Sequence, residues 1–287
     1  MACEVREMVK LPYRMNGASS EGGGALGRTA REVVPTFPDL AGKIVVVTGG
    51  SKGIGAATCR AFGRNGSKVV VVARSENPIG ELVDDLRAED IEAIGLAADC
   101  TKSEEMARVR ERVESQWGPV DVLVTSAGGF GQPRGILDLE EGEWLSLLES
   151  NLTGTFVSVQ TFLRGMVERH SGSIVTVSSS IGRYVDRTVN AAYAVAKAGV
   201  IVLSQHIAKE VGQYGVRVNC VAPATVLTER VQGILSEAQI EEIAGMAPLG
   251  RLGVPDDVAY AALYLSSASA GWITGVTIDV AGGRIML

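Results

Sequence analysis

The sequence is short of the residues that build metal and disulfide sites. Its four cysteines, Cys3, Cys59, Cys100 and Cys220, are scattered without a CxxC or metal spacing, and His170 and His206 are its only imidazoles. Ligand supply therefore argues against zinc, no metal is expected, and reduced thiols in a cytoplasmic setting are the expectation. Excess positive charge is also missing. With 27 Lys and Arg against 33 Asp and Glu the net charge is −6, which argues against a protein that coats nucleic-acid phosphates and points to a small-molecule partner. No apolar run approaches the roughly 18 residues of a membrane span, and the N-terminus lacks a basic-then-apolar signal pattern, so no membrane association is expected. Aromatics are only 5% of the chain, whereas glycine supplies 35 of 287 residues, well above the usual share of about 7%. Glycine therefore has structural work in this chain.

Two regions differ in character. Residues 1–40 carry the linker-like run Asn16 to Gly24 with Pro35 and Pro38 beyond it, and read as a flexible leader. Glu4, Glu7, Glu21 and Glu32 argue against a mitochondrial presequence, which is poor in acids. From Ala41 onward short β-branched runs alternate with helical patterns. Ile44–Val47, Val69–Val72, Ala93–Ala98, Val122–Thr125, Ser173–Val177, Val216–Val221 and Val276–Val280 read as seven strands. Ala56–Arg64, Glu81–Glu89, Glu104–Gln116, Leu145–Glu168, Ala191–Val211 and Asp256–Leu265 read as helices. Strands apolar on both faces and separated by helices predict one α/β domain over residues 41–287, a doubly wound, Rossmann-type parallel sheet with helices on both faces. Such sheets bind ligands beyond the carboxyl ends of their strands, where the strand order reverses.

Two motifs lie at such ends. The first strand runs into Thr48-Gly49-Gly50-Ser51-Lys52-Gly53-Ile54-Gly55 and then a helix, a turn whose backbone N–H groups can face a diphosphate. Its spacing is GxxxGxG, and it is not a Walker loop. At the end of the second strand, where an acid would hold a ribose 2′-hydroxyl, stand Ala73, Arg74 and Ser75. With Lys52 nearby, this charge suits a 2′-phosphate and predicts NADP(H) over NAD(H). Further along, Tyr193 and Lys197 are four residues apart on a predicted helix and share a face. A unit charge about 4 Å away at an effective dielectric near 20 contributes on the order of 4 kcal/mol, about three pKa units, which predicts a phenol lowered toward neutrality. Ser178, Ser179 and Ser180 end the strand before that helix, and their hydroxyls can hydrogen-bond a substrate carbonyl.

In this order the motifs resemble the short-chain dehydrogenase/reductase family over essentially Leu40 to Gly283, with a pattern most like the 3-oxoacyl-thioester reductase branch. The resemblance implies a tetrad of Asn151, Ser179, Tyr193 and Lys197. The family's VSSxxG pattern selects Ser179, and its common serine-to-tyrosine spacing selects Ser180. Also implied are cofactor contacts at Gly49, Ser51, Lys52, Gly53, Ile54, Gly55, Arg74, Ser75, Asp99, Cys100, Ala127, Gly128, Tyr193, Lys197, Pro223, Val226 and Thr228. Two departures stand out: Thr125-Ser126-Ala127-Gly128 replaces the family's NNAG, and Ala224 replaces a glycine after Pro223. The implied reaction is NADPH-dependent reduction of a ketone, with Ser179 holding the carbonyl oxygen, Tyr193 donating a proton, Lys197 lowering its pKa and binding the nicotinamide ribose, and Asn151 holding a water. The substrate is a small carbonyl compound, including carrier-bound acyl thioesters. Analogy with the family places its pocket among Phe130, Tyr184, Val226, Leu227, Val231, Ile234, Leu235 and Met246, under a lid at about 224–247, and makes Arg164, Arg169, Arg183 and Arg187 candidates for carrier docking. A homotetramer or homodimer pairing through Leu145–Glu168, Ala191–Val211 and the last strand is implied as well. Alternatives on this scaffold are a trans-2-enoyl thioester reductase, a sugar, polyol or steroid dehydrogenase, and a non-catalytic NADP-binding regulatory subunit.

Overall fold

The computed structural model describes residues 34–185 and 189–286. Seven strands form one parallel sheet in the order β3-β2-β1-β4-β5-β6-β7: β1 (Ile44–Thr48), β2 (Lys68–Ala73), β3 (Ala93–Ala97), β4 (Val122–Thr125), β5 (Gly172–Val177), β6 (Val216–Pro223) and β7 (Thr277–Val280). Alternation divides the apolar residues of each strand between two cores. Val45, Val47, Val69 and Val71 face Phe62, Leu82, Leu86, Val258 and Leu263 on one side. Val46, Val70, Val72 and Leu123 face Met106, Val113, Phe162, Met166 and Ile207 on the other. The helices that cover the first side are α1 (Gly53–Arg64), α2 (Glu76–Ala88) and α9 (Pro255–Ser266). Those on the second are α3 (Ser103–Trp117), α5 (Gly154–Glu168) and α6 (Ala191–Val211), with α4 (Glu141–Leu148) preceding α5.

Four departures from the sequence reading bear on the fold. The folded unit begins at Val34: Phe37 N–H donates to Asn65 Oδ1 at 2.7 Å, and Leu40, closing a short turn Pro38–Leu40, is buried in the first core. The last residues of the expected leader therefore belong to the domain, while residues 1–33 lie outside the described residues. Second, α2 starts at Glu76, five residues before its expected start, because Pro78 is tolerated in a first turn. Third, the expected continuous helix Leu145–Glu168 begins earlier, at Glu141, and contains a π turn at Glu149–Thr153 between α4 and α5. Fourth, among the described residues the helical stretch Ala191–Tyr214 is long and apolar enough, by length and composition, to cross a membrane, contrary to the expectation of no such run. In this fold it lies against the sheet and buries Val200, Ile207, Ala208 and Val211.

The strand order reverses between β1 and β4, which pair with Thr48 beside Thr125. The chain leaves the two strands in opposite directions and opens a crevice above their carboxyl ends. The lid, expected only as a span, holds two short helices, α7 (Glu229–Gln232) and α8 (Glu237–Gly245).

Candidate active site

The glycine turn is built for close approach. Gly49 has φ +67°, and a Cβ there would lie 2.7 Å from the Ala127 backbone; a side chain at Gly55 would strike the Gly49 carbonyl. The turn thus packs directly on the loop after β4, and α1 starts from Lys52 with no side-chain cap on its first N–H groups. Gly49, Ser51, Lys52, Arg74, Ser75, Asp99, Cys100, Ala127 and Gly128 line one cleft of about 640 Å³. Gly53 and Gly55 supply helix-start backbone beside it, and Ile54 lies at its far end, in the adjoining cavity.

A dinucleotide fits this cleft on three observations. The uncapped α1 N-terminus offers donors to an anion. Thr48, which lines the cleft, has a buried hydroxyl without a hydrogen-bond partner among the described residues. Lys52 and Arg74 form no ion pair among the described residues, so both cations are available to phosphate. Burial alone would raise the Asp99 carboxyl, but hydrogen bonds from Thr101 and the charges of Lys102 and Arg74 hold it below its usual range. Burial raises the Cys100 thiol to about 11, which leaves it protonated at neutral pH.

A second cavity, of about 390 Å³, adjoins the cleft and shares Gly131 and Arg230 with it. Ser179, Ser180, Tyr193, Pro223, Val226 and Thr228 line it, as do Phe130, Tyr184, Val231, Ile234 and Leu235. Leu227 and Met246, expected in its wall, do not line it. The three serines have separate tasks. Ser178 donates to the Lys197 carbonyl at 2.7 Å and ties α6 to β5. Ser179 Oγ accepts from Ile181 N–H at 3.3 Å, donates to the Pro223 carbonyl at 3.5 Å, and lies near enough to the Tyr193 phenol to lower its pKa. Ser180 opens the following turn. Ser179 and Ser180 both line the cavity, and of the two it is Ser179 that acts on the Tyr193 phenol.

Lys197 and Asn151 stand behind the wall and line neither cavity. Lys197 Nζ donates to the Val177 carbonyl at 2.9 Å and sits 5.7 Å from the centre of the Tyr193 ring. Its ammonium is brought down to about 8 by burial. Asn151, in the π turn, accepts from Gly129 N–H at 3.1 Å and donates to the Gly129 and Leu147 carbonyls, each at 3.0 Å. The expected lowering of the phenol by Lys197 is overturned. Burial raises the Tyr193 pKa, opposed by the nearby Ser179 hydroxyl and the charge of Arg230. Desolvation of the phenolate outweighs the field of an ammonium that is itself buried, lies over the ring and is spent on a carbonyl.

Two residues escaped the sequence reading. Asn190, fully buried, caps α6 by accepting from the Tyr193 N–H at 3.1 Å. Its amide donates to the Gln132 carbonyl at 3.1 Å and to Glu143 at 3.2 Å, so it joins three segments around the site. An Asn immediately before a helical pattern is a start signal that could have found it. Arg230, on α7, stacks its guanidinium 4.3 Å from the centre of the Phe130 ring, and nothing local in the sequence distinguishes it. Of the docking arginines, Arg183 is paired with Asp279 at 2.7 Å and Arg169 donates to the Val120 carbonyl at 2.6 Å. Arg187 lies outside the described residues.

A doubly wound sheet with a dinucleotide-sized cleft at its switch point and a serine and a tyrosine lining the cavity beside it defines a nicotinamide-dependent oxidoreductase. The chain belongs to the short chain dehydrogenase family, whose model matches residues 43–239, and it is an NAD(P)-dependent enzyme of that family. It is 36% identical over 249 residues to a 3-oxoacyl-[acyl-carrier-protein] reductase of Vibrio cholerae, covering 87% of this chain and 100% of the relative. A 3-oxoacyl-[acyl-carrier protein] reductase of Brucella melitensis, solved with bound NAD, superposes with a TM-score of 0.81 at 29% identity, over 90% of this chain and 98% of that one. A variant actinorhodin polyketide ketoreductase, solved with NADPH, gives 0.80 at 31% identity, over 85% and 97%.

Proposed function

We propose that this enzyme reduces a ketone to a secondary alcohol with NADPH, using Tyr193 as the proton donor. The observation that carries the reading is that Ser179 and Tyr193 line one cavity that adjoins the dinucleotide cleft. Gly49, Ser51, Lys52, Gly53, Ile54, Gly55, Arg74, Ser75, Asp99, Cys100, Ala127, Gly128, Pro223, Val226 and Thr228 would hold the cofactor, which supplies the hydride when bound. Lys52 and Arg74, with no carboxylate at Ala73, support the 2′-phosphate form.

Ser179 orients the carbonyl oxygen and donates a hydrogen bond to it. Tyr193 gives that oxygen its proton, and the raised pKa suits this direction, since the phenol stays protonated at neutral pH. Lys197 supplies positive charge behind the phenol and would bind the cofactor ribose. Asn151 holds Gly129 in place at the floor of the cleft. The names of the relatives make 3-oxoacyl thioesters the first substrates to test, and a cytoplasmic homo-oligomer is part of the same reading.

The experiment incubates the purified chain with 3-oxoacyl thioesters, simple ketones and enoyl thioesters, and identifies products by mass. The expected product is the hydroxy compound, two hydrogens heavier than the ketone, with kcat/KM for NADPH at least about tenfold above NADH, the worth of one charge-assisted contact. Reduction of enoyl thioesters alone would overturn ketone reduction, and equal rates with NADH would overturn the cofactor assignment.

A further inference from the structure

The substrate cavity is bordered by a guanidinium, that of Arg230, that has no ion pair among the described residues. Among the described residues its lining holds no carboxylate side chain. Arg284 Nη1 lies 3.4 Å from Thr225 Oγ1. Arg230 makes no ion pair and no hydrogen bond among the described residues, and its one contact of note is the Phe130 ring. A guanidinium stacked on an aromatic face keeps its N–H donors in its own plane, free to form a two-pronged contact with an oxyanion. The neighbouring carboxylate, Glu229, is turned toward the glycine turn, where a Cβ on Gly53 would lie 3.9 Å from Glu229 Oε2.

Arg230 borders both the dinucleotide cleft and the substrate cavity, and its stacking partners lie on the substrate side. Phe130 meets Tyr193 edge-on, with ring centres 6.4 Å apart, so the stack Arg230–Phe130–Tyr193 runs from the lid to the reacting group. The diphosphate end of the cleft has its own donors in the glycine turn and Lys52. Apolar Val231, Ile234 and Leu235 flank the arginine on the lid side, and such surroundings strengthen a charge pair once a ligand excludes water.

We infer that Arg230 is a specificity-determining residue that selects ketones bearing a carboxylate, gripping the carboxylate over the Phe130 face while the ketone lies at Ser179 and Tyr193. This rests on the proposed ketone reduction. The test compares kcat/KM for 4-oxopentanoate and 5-oxohexanoate with that for their methyl esters, in the wild type, Arg230→Met and Arg230→Lys. The expected acid-over-ester ratio is about ten- to thirtyfold in the wild type, the size of a partly exposed charge-assisted contact. It falls to near one in Arg230→Met and is partly restored in Arg230→Lys. A wild-type ratio near or below one, or a ratio unchanged in Arg230→Met, overturns the inference. The same holds if Arg230→Met raises KM for NADPH while leaving the ratio intact, which would assign the arginine to the dinucleotide. Reduction of the ester without preference defeats this inference alone, whereas no reduction of any ketone defeats the reading beneath it.

Discussion

Burial pushes Tyr193 and Lys197 in opposite directions, and both shifts favour the neutral form. The phenol is raised and the ammonium lowered to about 8, so charge on either group is costly until a ligand compensates it. For Lys197 this has a measurable sign. Between pH 8 and 10.5 the unfolded chain keeps a lysine proton that the folded chain has released, so wild-type stability gains about 3 kcal/mol across that window and loses it again as pH falls. Lys197→Met lacks this dependence. Denaturant unfolding at a series of pH values should show the wild type gaining on the variant by that amount, and a constant difference would contradict the burial account. At Arg74 the expectation concerns charge. Arg74→Asp should lower kcat/KM for NADPH by about tenfold or more and improve NADH, because a carboxylate repels a 2′-phosphate and can accept from a 2′-hydroxyl. Unchanged selectivity in steady-state kinetics would move the determinant elsewhere. The spacing of Tyr193, Lys197 and Ser179 was legible because helical periodicity and a strand end bring them together. The direction of the phenol shift was not, because spacing does not report burial.

Two elements hold these residues in place, and they differ in how far the sequence announces them. The π turn at Glu149–Thr153 puts Asn151 against Gly129, yet the helical pattern runs on through the region and Gly154, directly after the turn, is the one local mark of the irregularity. The cap of α6 is more readable, since Asn190 precedes an alanine-rich helix and sits three residues before Tyr193. Asn190→Ala would remove the cap and leave the Gln132 carbonyl short of a donor, a cost of about 2 kcal/mol, or roughly 5 °C in Tm. Because the same side chain bridges to Glu143 and the Phe130 loop, kcat should fall by about tenfold with little change in dinucleotide affinity. Asn190→Asp, which keeps the cap acceptor but loses both amide donors, should retain more of the Tm than of the kcat. If Asn190→Ala lowers neither quantity, the bridging role is wrong.

At the scale of the molecule, alternating strand and helix patterns were enough to predict the parallel doubly wound sheet, since residues buried on both faces leave few other architectures. Lid geometry was less accessible, because α7 and α8 are short and bury no residues of their own. The outer surface shows Phe156 on α5, Val195 and Val202 on α6, and a fully exposed Trp272 before β7. Apolar side chains on the two long helices and near the last strand fit faces that pair with copies of the chain. Native mass spectrometry should give two or four times the 30.1 kDa protomer, and a monomer at micromolar concentration would contradict this.

The central claim, that the Tyr193 hydroxyl delivers the proton at a ketone beside the dinucleotide cleft, is tested most directly by NADPH oxidation in Tyr193→Phe. With the best ketone of the panel the rate should fall by about a thousandfold, the scale of a lost general acid, while NADPH affinity measured by fluorescence stays within about threefold, under 1 kcal/mol. A variant that keeps a tenth or more of the wild-type rate would contradict the account.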